Sequence, residues 1–233
     1  MGTVSSPILI GRAAELARLL EAVERAADGR PQLALVTGEA GIGKSRLVAE
    51  LVASVRMAGS RVLSGGCLDI GAAAVPYLPL AEALRGLARS LSPDELAAVL
   101  GPTREDLAAI APELGSPGIA APDTTAGSVG QARLFERVLQ LVGRLAEDRS
   151  LLLVVEDVHW IDRGTRDLLT FLVRNLTGER ILAVLTVRTE DLPAGHPNLA
   201  WAAELSRAPG SLRVPLQALD RSQTAEQVAA ITG

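Results

Sequence analysis

Gly38, Glu39, Ala40, Gly41, Ile42, Gly43, Lys44 and Ser45 set four residues between Gly38 and Gly43 and follow them with a lysine and a hydroxyl side chain. Glycines let a loop curl with its N–H groups turned inward. A helix starting from such a loop adds unpaired N–H groups and the positive end of its dipole. The product is a cradle for phosphate oxygens. In this pattern Lys44 reaches the β and γ phosphates, the Ser45 hydroxyl ligates the accompanying Mg2+, and Gly43 lets the backbone pass close. Arg46 completes the run expected to touch the nucleotide. Lys44 is also the only lysine of the chain, every other basic side chain being arginine. A forked guanidinium does not replace a compact ammonium inside a closed phosphate loop, which gives the exception a physical reason.

A second constellation follows the apolar run Leu151 to Val155, where Glu156 and Asp157 stand side by side. Carboxylates at the carboxyl end of a buried strand lie on the edge where α/β sheets bind ligands. One can hold magnesium through its water shell while the other orients or deprotonates an attacking water. Strand alternation is expected to point the neighbours to different sides. Glu156 is assigned to the metal and Asp157 to water, although both acids belong with Ser45 to the expected metal set and the two roles can be exchanged. Asp162 reads as the cap of the next helix or as a further site acid. His159 sits behind the acids. Thr186 and Arg188 end the next apolar run, where an arginine could report on a γ phosphate as charge moves during cleavage. The alternative for Arg188 is an ordinary surface salt bridge.

The elements that must hold these residues are legible from periodicity. Leu33 to Val36 is a short apolar run suited to a buried parallel strand. Leu47, Val48, Leu51, Val52 and Val55 recur at helical spacing after the loop, which therefore joins strand to helix. Before it, Leu16, Leu19, Leu20 and Val23 mark an amphipathic helix ended by Gly29 and Pro31. Arg61 to Cys67 reads as a second strand weakened by Gly65 and Gly66. Pro79 to Leu114 is helical but interrupted by Pro93, Pro102 and Pro112, as in an inserted helical hairpin of short pieces. Gly115 to Gly130 lacks periodicity and is expected to be an exposed loop. Leu134, Phe135, Val138, Leu139 and Val142 form a helical face leading to the strand at Leu151. Ile181 to Val187 and Leu212 to Leu216 are further strands, with helices around Leu168 to Leu176 and Leu199 to Leu205 between them.

At 233 residues, with a 48% hydrophobic fraction and 2% aromatics, the core must be built from Ala, Leu and Val, which suits helices stacked on a parallel sheet. The formal net charge of −4 comes with arginines spread along the sequence and no basic run, so neither direct DNA contact nor membrane attraction is expected. Cys67 is the only cysteine, which excludes an internal disulfide and fits a reduced core residue of a cytoplasmic protein. No segment has the uninterrupted apolar length of a membrane span, and the start lacks the regions of a signal peptide.

Taken together, Leu9, Ile10, Gly11, Arg12 and Glu15, then GEAGIGKS, then LLLVVEDVHWID, then LTVRTEDL resemble the AAA-like ATPase domain of large LuxR-type (MalT-like) transcriptional regulators. These belong to the signal-transduction ATPases with numerous domains. The resemblance implies a P-loop three-layer α/β sandwich with strand order 5-1-4-3-2, ATP or ADP with Mg2+ as ligands, adenine held near Ile10 and Arg12, and Arg188 as the sensor at a strand end. It further implies a nucleotide-binding domain over residues 1–219, its helical insertion and loop at 79–130, and the first part of a helical subdomain at 220–233. In such regulators more domains follow, and nucleotide-dependent self-association accompanies activation. The expected function is an ATP-dependent switch with slow hydrolysis. The alternatives are an ATPase whose turnover is the output, as in a remodelling machine, and a phosphotransferase, for which no acceptor pocket is legible.

Overall fold

The computed structural model describes residues 8–69, 75–115, 127–188 and 195–232. Five strands, β1 (Gln32–Gly38), β2 (Arg61–Gly66), β3 (Leu151–Glu156), β4 (Ile181–Arg188) and β5 (Ser211–Pro215), form one parallel sheet in the order β2-β3-β4-β1-β5. This is the order 5-1-4-3-2 read from the other side. Parallel strands need crossovers, and helices supply them on both faces. The strands alternate their side chains between two cores: Leu33, Leu35, Leu153 and Val155 face one, while Ala34, Val36, Leu152 and Val154 face the other. Burial on both faces is why the strands read as continuous apolar runs.

The smaller core is closed by α1 (Ala13–Ala27) and α2 (Lys44–Met57), through Leu19, Ala22, Leu47, Leu51 and Val55. The larger core takes α3 (Leu78–Ser90), α4 (Pro93–Leu100), α5 (Arg104–Leu107), α6 (Gly127–Leu145), α7 (Arg163–Asn175) and α8 (Pro197–Leu205). The proline-interrupted segment is thus short helices, as its prolines require. It does more than decorate the domain, since Leu80, Ala83, Leu84 and Leu87 share a core with Leu63 and Leu153. Buried Asp106 receives Arg133 and Arg137, each at 2.8 Å, and so ties α5 to α6. Helix α6 begins at Gly127, inside the stretch expected to be a loop up to Gly130. The remainder of that expected loop, 116–126, lies outside the described residues, as do 189–194 and therefore the TEDL end of the last motif. A final helix, α9 (Arg221–Thr232), is exposed along most of its length.

Gly65 has a function that strand propensity hides. A methyl group there would lie 1.9 Å from the Pro79 carbonyl oxygen, so the glycine is what lets α3 approach β2. The obstacle is backbone and cannot rotate away. Gly65→Ala is expected to cost roughly 1–3 kcal/mol or more, the range for overpacking, which at this size lowers the thermal midpoint by about 2–4 °C per kcal/mol. An unchanged midpoint by calorimetry would show that α3 yields freely.

Candidate functional site

Because the strands are parallel, their carboxyl ends share one edge. The register pairs Gly38 with Arg188 and Gly66 with Glu156, which brings the loop, the acids and the arginine to that edge. The loop bends through Gly41 (φ 74°) and Gly43 (φ 102°), conformations that side-chain-bearing residues rarely adopt. A methyl group at either would meet nothing within 4 Å, so these glycines are needed for the backbone path, and the space beside the loop is open. Helix α2 starts at once, with Gly43 as its N-cap and Lys44 as its first residue.

Lys44 is only 6% exposed, and its Nζ donates to the carbonyls of Gly38 (2.8 Å) and Glu39 (2.7 Å). The Ser45 hydroxyl donates to Glu156 Oε2 at 2.5 Å, joining the helix start to the end of β3. Beside them lies a cleft of about 370 Å³ lined by Ser45, Val48, Val52 and Glu156. Arg46 turns along α2 to Glu50 at 3.4 Å.

Glu156 and Asp157 part company, but strand alternation is not the reason. β3 ends at Glu156, and Asp157 occupies the left-handed region (φ 54°, ψ 44°), which swings its side chain toward β4. Asp tolerates this region better than most residues. The turn is pinned by its own N–H, which donates to the buried Thr186 hydroxyl at 2.8 Å. The Asp157 carboxylate then lies 3.4 Å from Arg188 Nε and 3.8 Å from His159 Nδ1. His159 is buried and stands at a tilt against Trp160, with ring centres 5.1 Å apart.

Arg12 is 5% exposed, and its guanidinium donates to the carbonyls of Gln217 (2.7 Å) and Ile42 (3.1 Å) and to Glu15 (3.3 Å). It braces the phosphate loop against the chain leaving β5. Ile10 is buried beside it, and the side chains of Leu219 and Gln223 pack over Gly11. Asp162 caps α7, accepting from the Thr165 N–H at 2.9 Å, and its other oxygen takes the Thr165 hydroxyl and the Tyr77 N–H.

Two members of this edge were legible only in part and a third not at all. Thr186 was visible only as a strand end. Glu82 reaches from α3 to the Gly66 N–H at 2.9 Å. Cys67 sits just past β2, where burial first and then the charges of Asp162, Asp157 and Glu82 push its thiol up to about 12, so it stays protonated and inert at ordinary pH. Among the described residues no three His, Cys, Asp or Glu side chains gather as a metal cage. The donors at Ser45 and Glu156 are hard oxygens, which suit Mg2+ completed by phosphate oxygens and water. No helix among the described residues is long and apolar enough to cross a membrane.

Comparison with known proteins sets this geometry in context. An uncharacterized protein of Rhizobium meliloti (strain 1021), R02095, is 28% identical over 234 residues, covering 96% of this chain and 22% of that protein. The ORC1 protein of Aeropyrum pernix, solved in complex with DNA, superimposes with a TM-score of 0.52 at 21% identity, over 97% of this chain and 50% of that one. A signal transduction ATPase with numerous domains and a tetratricopeptide repeat sensor from Pyrococcus horikoshii gives 0.48 at 16% identity, over 97% and 26%. The chain therefore spans about a fifth of the curated relative and half of the ORC1 chain. The AAA ATPase domain family matches residues 8–185, and with its P-loop at the carboxyl edge of a 2-3-4-1-5 sheet the chain belongs to that family.

Proposed function

We propose that this chain is an ATP-binding, slowly hydrolysing switch domain of a larger, cytoplasmic transcriptional regulator. The observation that carries the nucleotide reading is the convergence of Lys44, Ser45 and Glu156 beside an open glycine loop, with Ser45 and Glu156 2.5 Å apart. The loop N–H groups and the α2 terminus would receive the phosphates, and Lys44 would exchange its two carbonyl partners for phosphate oxygens. Ser45 and Glu156 would hold Mg2+, which when bound offsets the negative charge that phosphoryl transfer gathers on oxygen. Asp157, turned away from that pair, would orient water. The switch assignment and the LuxR-type affiliation rest on the sequence resemblance. So do the division into a nucleotide domain at 1–219 with a helical part beginning at 220 and nucleotide-dependent self-association, while the expectation of no direct DNA contact rests on the net charge of −4 and the lack of a basic run.

The pair of Arg188 with Asp157 supports a switch in particular. Both side chains are about one-third exposed, and a pair of that kind is worth about 1 kcal/mol or less. A γ phosphate could draw Arg188 away at small cost and release Asp157 for catalysis. ADP has no group to do so.

Lys44→Ala removes a charged phosphate contact of about 1.5–3 kcal/mol, so nucleotide affinity should fall roughly tenfold or more. Calorimetric titration decides it, and unchanged affinity would remove the cradle reading. Asp157→Asn should retain ATP binding and abolish phosphate release, whereas Glu156→Gln should weaken the Mg2+ dependence of binding. Exchanged phenotypes would exchange the two roles. Arg188→Ala should weaken ATP more than ADP, since only ATP carries the group it would contact. Equal losses in paired titrations would make Arg188 a surface pair and nothing more.

A further inference from the structure

A groove of about 680 Å³ runs along the outer side of β2 and meets the cleft beside Ser45 and Glu156 at Arg56 and Ser64, which line both. Among the described residues β2 is an edge strand paired only with β3. The Arg61 N–H donates to Ser150 and the Cys67 N–H to Glu156, both across to β3 and both at 2.9 Å. Alternation then turns the N–H groups of Val62, Ser64 and Gly66 outward. Gly66 is taken by Glu82. Among the described residues nothing accepts from the Val62 or Ser64 N–H. Both residues line the groove, so its floor is an open length of strand edge.

The walls are basic. Arg56 of α2 and Arg85 and Arg89 of α3 line the groove with Arg61, and the acid among them, Glu82, is already engaged. Arg61 turns to Asp148 and Arg85 to Glu113. The Arg56 and Arg89 side chains have no hydrogen-bond or ion-pair partner among the described residues. Gly86 presents open space between the two arginines of α3. In a chain of net charge −4 this is a local reversal of sign. An unpaired edge is a template for one more strand, and backbone bonds give such docking its affinity while side chains give its specificity.

We propose that the groove docks an extended acidic peptide segment, which joins β2 as a sixth strand. Its carbonyls accept from Val62 and Ser64, and its carboxylates pair with Arg56 and Arg89. Arg56 on α2 and Arg89 on α3 stand on opposite faces of the sheet, and successive residues of an added strand point to opposite faces, so adjacent acidic residues reach both.

The test titrates the chain with a synthetic oligoglutamate peptide, whose neighbouring side chains face both walls, and with its oligolysine counterpart, while amide exchange is followed residue by residue. Saturation with the acidic peptide should slow exchange at Val62 and Ser64 roughly tenfold or more. Reversal of the two exposed charges, Arg56→Glu with Arg89→Glu, should weaken binding by roughly tenfold or more. Ser64→Pro removes one outward donor without touching the β3 pairing and should weaken it too. Unchanged circular dichroism would show that both variants fold. Binding without protection of those amides, equal binding of the lysine peptide, or indifference to both variants would overturn the proposal. So would preferred binding of oligothymidylate, or self-association through this edge that Ser64→Pro abolishes.

Discussion

A lysine ammonium that is 6% exposed has to be surrounded by oxygen, and the architecture around Lys44 follows from that requirement. Removing a cation from water costs several kcal/mol. Each hydrogen bond from a charged donor returns about 1.5–3 kcal/mol, so the Gly38 and Glu39 carbonyls offset a cost of the same order. Both oxygens belong to backbone, and backbone oxygens can be aimed at one point only if the chain turns sharply. The left-handed conformations of Gly41 and Gly43 supply the turn, and β1, held between β4 and β5, anchors its beginning. Carbonyl oxygens hold the ammonium in place while remaining weaker partners than phosphate, so the loop is charged and ready without being saturated.

Two braces keep that loop from wandering. Arg12 spans from the start of α1 to the Ile42 carbonyl and on to Gln217, so three distant stretches of chain meet at one guanidinium. A planar fork with several donors can do this where a lysine could not. The second brace is the Ser45 to Glu156 bond, which couples α2 to β3 across the sheet edge. The phosphate loop is therefore tied to the strand that carries the acids, and displacement of one would be felt by the other.

The strands and the helices between them were legible because pattern dictates them: apolar runs buried on two faces, helical spacing, and glycine and proline stops; the order of the strands came from the family resemblance and not from periodicity. Gly38 to Ser45 and the acid pair were legible for the same reason, since their chemistry demands fixed types at fixed spacing. Gly65 was read as a flaw in a strand, because propensity describes a residue in isolation and the Pro79 carbonyl that requires the glycine arrives from a different helix. The separation of Glu156 from Asp157 was expected for the wrong reason, alternation, when a left-handed turn pinned by Thr186 achieves it. The arginines looked dispersed in the sequence, yet Arg56, Arg61, Arg85 and Arg89 gather along one groove. Contacts between residues far apart in sequence are what pattern cannot supply.

Asp157 illustrates how one local distortion organises a site. Its left-handed backbone is held by the hydroxyl of a residue on the next strand, so the geometry of the acid depends on β4 remaining in register with β3. The same β4 ends two residues later at Arg188, which takes the carboxylate that Thr186 has positioned. Thr186 and Arg188, on one face of one strand, thus fix the backbone and the side chain of the same acid from two points. The buried contact is permanent and the exposed one is weak. A site built this way keeps its acid in place while leaving the charge partner free to respond to whatever binds at the edge.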